Sequence, residues 1–145
     1  MGNWKYFTLE EMCASCTARS MQISNQPSQG CINNLARLVE GTLDPLRELW
    51  GAPLIVASGF RCPELNKAVG GVRNSYHKLG LAADIVTKGN DNENNFQLFE
   101  LIKENLEALN IDLVIAENMT GKGRCGWVHI QTNKSGTRPR HLVIP

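Results

Sequence analysis

Two short apolar segments of this chain each carry one ionisable side chain near their centre. Ala82-Ala83-Asp84-Ile85-Val86 holds an aspartate, and Trp127-Val128-His129-Ile130 holds a histidine. Such a group is costly in an apolar strand unless it is paired or bound to a metal. Each of the two is therefore expected to be paired or metal-bound. Strand side chains alternate between faces, so Asp84 shares a face with Ala82 and Val86, and His129 with Trp127 and Gln131. If the strands pair, Asp84 and His129 meet on one side at cross-strand distance. A second imidazole, His77, lies seven residues before Asp84. Gly80 lets the intervening loop fold back sharply, and Ala82 and Ala83 leave room for a metal beside the backbone. Two imidazoles and one carboxylate suit zinc, and three protein ligands leave a fourth position open, as in catalytic sites. A lone histidine is more often an ordinary side chain, and His141, behind Arg138-Pro139-Arg140, is read so. The joint occurrence of His77, Asp84 and His129 points to metal-assisted hydrolysis.

The rest of the pattern predicts an α+β fold, a mostly antiparallel sheet covered by helices. Thr8 with Glu11 three residues on forms a capping box, so a short helix begins near Thr8. Ser20 to Gly30 reads as a loop. Ile32, Leu35, Leu38, Val39, Leu43, Leu46 and Leu49 form one stripe of a long helix, kinked or broken before Pro45 and ended by Gly51 and Pro53. Leu54 to Ala57 is a short strand, Pro63 to Val69 a helical turn or two, and Val72 to Leu81 a loop. Phe96, Phe99, Ile102, Leu106 and Leu109 mark a second helix capped from Asp91 or Asn92. Strands are expected at 82–86, 112–117 and 127–131, with a glycine-bearing loop from Met119 to Gly126. A last strand at 140–144 is expected at an edge.

With 145 residues, the chain suits a single domain spanning 1–145 that can bury its own core. A net charge of +1 and the lack of a basic run argue against nucleic acid as the main partner. No run approaches membrane-spanning length. The N-terminus lacks the apolar core of a signal peptide, so the expected location on synthesis is the cytoplasm. Gly2 follows Met1, but position 6 is Tyr6 rather than Ser or Thr, which weakens a myristoylation reading. Five cysteines, an odd number, argue for reduced thiols. Cys13-Ala14-Ser15-Cys16 has the spacing of a metal or redox pair. No second pair accompanies it, although Cys31 offers a third sulfur, and it reads better as part of a short helix.

Ser75 to Asp84 matches the S-x-H-x-x-G-x-A-x-D pattern of the zinc-dependent D-alanyl-D-alanine carboxypeptidase and endopeptidase family, and Trp127-Val128-His129-Ile130 matches its second motif. Ser58-Gly59-Phe60-Arg61-Cys62-Pro63-Glu64-Leu65-Asn66-Lys67-Ala68-Val69-Gly70-Gly71 resembles the segment preceding the first motif in small bacterial and phage members. Phe7 to Glu11 and Leu43 to Arg47 resemble that subgroup too. The resemblance implies the fold shared with the hedgehog signalling domain, and a zinc peptidase acting on peptidoglycan stem peptides or cross-links. It implies His77, Asp84 and His129 as the zinc ligands. It places Arg61 in the cleft, binding a substrate carboxylate or steadying an oxyanion through its planar fork. Ser75 is a candidate substrate contact and, with Asn74, a candidate to orient a ligand. Release by phage-type lysis would fit such a role.

One position departs from the pattern. The better-known carboxypeptidases carry an acid three residues before the last histidine, where this chain has Gly126. Small phage-like members tend instead to carry a glutamate at the end of the preceding strand, and Glu117 occupies that place. Glu117 is therefore the candidate general base, with zinc and Arg61 stabilising the tetrahedral oxygen. The rival expectation is a zinc-binding domain of the same fold that recognises a cell-wall peptide or a protein without cleaving it. A thiol-based sensor using Cys13 and Cys16 is the third.

Overall fold

A computed structural model describes residues 4–145. The readings that concern Met1, Gly2 and Asn3 lie outside the described residues. Among the described residues, six α-helices and five strands follow one another: α1 (Leu9–Cys13), α2 (Cys16–Ser20), α3 (Gln29–Leu38), α4 (Asp44–Trp50), β1 (Leu54–Ser58), α5 (Pro63–Ala68), β2 (Ala82–Thr87), α6 (Asn92–Lys103), β3 (Leu113–Gly121), β4 (Arg124–Gln131) and β5 (Leu142–Ile144). The sheet order is β1-β2-β4-β3-β5, antiparallel throughout except for the parallel pair β3–β5. This is the expected α+β architecture, with β5 at the edge.

The helix starts follow from local chemistry. Thr8 Oγ1 accepts from the Glu11 N–H at 3.1 Å, and Asp91 caps α6 through the Asn94 N–H. The long amphipathic run breaks as Pro45 requires. Between α3 and α4, Val39–Leu43 widens into a π-helical turn, in which the Asp44 N–H reaches back to Val39 O. Pro45 has no N–H for the carbonyl of Gly41 four residues earlier. Asn110 supplies the missing donor, its Nδ2 lying 3.0 Å from Gly41 O. The Asp44 carboxylate in turn accepts from the backbone N–H groups of Lys5 and Tyr6.

Several expected boundaries shift. The loop expected at Met119 to Gly126 is instead the end of a hairpin: β3 runs on to Gly121, and only Lys122-Gly123 turns before β4. Glycine and lysine are weak strand formers, so the sequence hid pairing that the neighbouring ladder imposes. The second helix stops at Lys103, and irregular turns carry Leu106 and Leu109 to the sheet. The loop before β2 contains a 3-10 turn over Tyr76–Leu79, and α2 occupies residues read as loop or single helix. Cys13 ends α1 and Cys16 begins α2, so the two straddle a break rather than share one helix, and the five cysteines are all free thiols.

The core lies between one sheet face and the helices. Ile85, Val114, Val128 and Ile130 project from the strands against Leu98, Phe99 and Ile102 of α6 and Leu35 and Leu38 of α3. Asn95, fully buried, ties three elements together. Its Oδ1 accepts from the N–H and hydroxyl of Thr87, and its Nδ2 donates to Asn90, Cys125 and Gly126. The residues between the core positions on β2, β3 and β4 point the other way and floor an open cleft. No helix among the described residues is long and apolar enough to cross a membrane.

Candidate metal centre

Strand pairing sets the centre. Asp84 lies directly opposite His129, and on the far side of β4 His129 lies opposite Ile115. His77 reaches the same point from the 3-10 turn. Ser75 caps that turn by accepting from the His77 N–H at 3.2 Å, and Gly80 ends it with φ +78°, a left-handed conformation that a side chain would strain. One ligand atom from each of His77, Asp84 and His129 lies within 4.8 Å of the others. The imidazole centroids are 5.2 Å apart.

The hydrogen bonds decide which nitrogen of each ring faces inward. His77 Nδ1 lies 2.7 Å from the carbonyl oxygen of Gly59. A carbonyl only accepts, so Nδ1 carries the proton and the Nε2 lone pair faces Asp84, 3.4 Å from its Oδ1. His129 presents the opposite nitrogen: Nδ1 is 2.9 Å from Asp84 Oδ1, while Nε2 is 3.2 Å from Gln131 Oε1. Rings with the remote nitrogen held by an acceptor and the near one turned to a common point are what a metal-binding histidine pair needs. The donor set fits a divalent ion that accepts nitrogen and oxygen ligands.

Asp84 is nearly buried, and its oxygens have opposite partners. Oδ1 faces the imidazoles and Oδ2 lies 3.5 Å from Arg61 Nη2. Burial pushes its pKa up, but the imidazoles of His129 and His77 beside it outweigh burial and hold it well below the usual carboxylate range. Burial likewise opposes the charge on His129, yet the Asp84 carboxylate beside it raises the pKa, with smaller help from the negative charge of Glu117. Arg61 is pinned rather than free. Its Nε donates to Ser58 Oγ and its Nη1 to Asn66 Oδ1, both at 3.1 Å, and burial lowers its pKa against the pull of Asp84.

The cleft, of about 720 Å³, brings together the site residues of the peptidase reading: Arg61, Ser75, His77, Asp84, Glu117 and His129 all line it, while Cys13 and Cys16 lie elsewhere. Glu117 stands opposite Trp127, one cleft-facing position along β3 from Ile115. At Gly126 the backbone lies close against the Asn118 side chain. The strand changes face there, with Cys125, Val128 and Ile130 all in the core. A Cβ at 126 would come 2.9 Å from Asn118 Nδ2, so an acid would have to displace that side chain. The sequence reading missed Gly59, whose carbonyl orients His77, Asn66, which braces Arg61, and Gln131. Gln131 was detectable as the next residue on the face of His129; a backbone carbonyl leaves no sequence signal.

A family model described as Peptidase M15 matches residues 5–109, well over half the chain. The match takes in Arg61, His77 and Asp84; Glu117 and His129 lie beyond it and are brought to the same cleft by β3 and β4. No curated protein matches the chain. The matched segment carries two of the three converging ligands, and the chain belongs to the peptidase M15 family of metal-dependent peptidases.

Proposed function

We propose that the chain is a zinc peptidase that hydrolyses peptide bonds in peptidoglycan stem peptides or cross-links. The observation that carries this reading is the convergence of two imidazoles and a carboxylate, each ring already turned to offer its inner lone pair. Once bound, zinc would polarise the scissile carbonyl and acidify water. Glu117 takes the proton from the attacking water and returns it to the leaving amine. Arg61 balances the outer oxygen of Asp84 and lines the cleft, where it binds a substrate carboxylate or the developing oxyanion. Ser75 lines the cleft, and its hydroxyl supports the His77 backbone. One buried cluster draws on residues from Phe7 to Ile130, which supports a single catalytic domain.

The test is elemental analysis of the purified protein beside mass spectrometry of digested peptidoglycan. The expected outcome is stoichiometric zinc and released amines. Glu117→Gln should keep its metal and lose about 10²- to 10⁴-fold in kcat. Tight peptide binding without product would replace hydrolysis by recognition, and a metal-free preparation in excess zinc would end the reading.

A further inference from the structure

One buried carboxylate stands outside the chemistry above. Asp112, 2 % exposed, lies just before β3. Arg140 grips it three times: the backbone N–H and Nε each lie 3.0 Å from Oδ1, and Nη2 lies 2.7 Å from Oδ2. Oδ2 also accepts from Gln131 Nε2 at 2.9 Å. Gln131, 5 % exposed, turns its other amide atom, Oε1, to His129 Nε2.

Each link dictates the next. Burial favours the neutral acid, but the hydrogen bonds from Arg140 outweigh it and keep Asp112 ionised. An ionised carboxylate only accepts, so Gln131 must present its N–H to it. The Gln131 carbonyl then faces His129 and also only accepts. His129 therefore carries a proton on Nε2, and Nδ1 is the nitrogen left for a ligand bond.

We propose that Arg140, Asp112 and Gln131 form a positioning relay that sets the tautomer and ring orientation of His129 for metal binding through Nδ1. The relay rests on the reading of His129 as a ligand. It makes the segment around Arg140, which follows the last cleft strand, part of the support of the centre. Gln131 and Arg140 also line the cleft, so the relay is read from the bound metal rather than from turnover.

The test uses the full chain loaded with cobalt(II), compared with Gln131→Met, Asp112→Asn and Arg140→Gln. Affinity is read from the visible absorption of the bound ion. Ring N–H protons shifted by the paramagnetic ion are read by proton NMR, one from His77 and one from His129. Gln131→Met should weaken cobalt binding about 10- to 100-fold and lose one ring N–H signal to exchange with water. The other signal, held by Gly59 O, should persist. Arg140→Gln, at a half-exposed side chain, should move both readouts in the same direction. If Asp112→Asn fails to fold, Gln131→Met decides, because it leaves the Arg140–Asp112 pair intact. Wild-type affinity and both N–H signals in Gln131→Met would overturn the relay, whatever happens to the stability of the metal-free protein. A wild type that takes up no cobalt would overturn the metal centre itself, and the relay with it.

Discussion

Asp84 and Arg61 show how much one residue pair settles. The carboxylate gives one oxygen to the imidazoles and the other to the guanidinium. The guanidinium is braced by Ser58 and Asn66 at set angles. A lysine can occupy only one of these directions. Arg61→Lys should therefore lower kcat/KM by about tenfold or more, as loss of a charge-assisted hydrogen bond requires, with zinc content unchanged. Steady-state kinetics on a stem peptide would check this. At this scale the ligands were legible because ionisable groups in apolar strands demand partners. Their supports were not. Gly59 acts through a backbone oxygen, and Asn66 and Asp112 act through distant partners that no local pattern announces.

Single polar residues hold elements together here. Asn95 joins the end of β2 to α6 and β4 from a fully buried position, so Asn95→Ala would remove its bonds to the Thr87 N–H and to the carbonyls of Cys125 and Gly126. The expected cost is about 3 kcal/mol, measured by urea denaturation. Asp112 does the same for the sheet edge, where its backbone carbonyl also accepts from Leu142 of β5. Its pKa is lowered in the folded protein despite burial, because Arg140 bonds to it. A lowered folded pKa adds stability above the unfolded value of 3.8, and that stability is lost as pH falls further. Stability should thus decline below about pH 4, and Asp112→Asn should flatten that decline. Urea midpoints measured across this range would show it. Periodicity revealed α3, α4, α6 and the central strands because their apolar positions recur at 3.6 or 2 residues. It failed at the β3–β4 hairpin and at α2, where pairing and capping outweigh composition.

For the whole molecule, a metal that binds only the folded chain must raise its stability. At a free concentration 100-fold above Kd the gain is about 2.7 kcal/mol, so chelation should lower Tm and added zinc restore it, by calorimetry. The ligands come from a turn and two strands, with His77 and His129 52 residues apart in the chain, so only the completed fold presents them. The β3–β4 hairpin adds a practical consequence. Glu117 and His129 keep their spacing through rungs that lie below the Lys122-Gly123 tip. Length added at that tip enters solvent and leaves those rungs in place. A tether or a wall-anchoring module spliced between residues 122 and 123 would therefore steer the enzyme toward a surface while its chemistry runs unaltered.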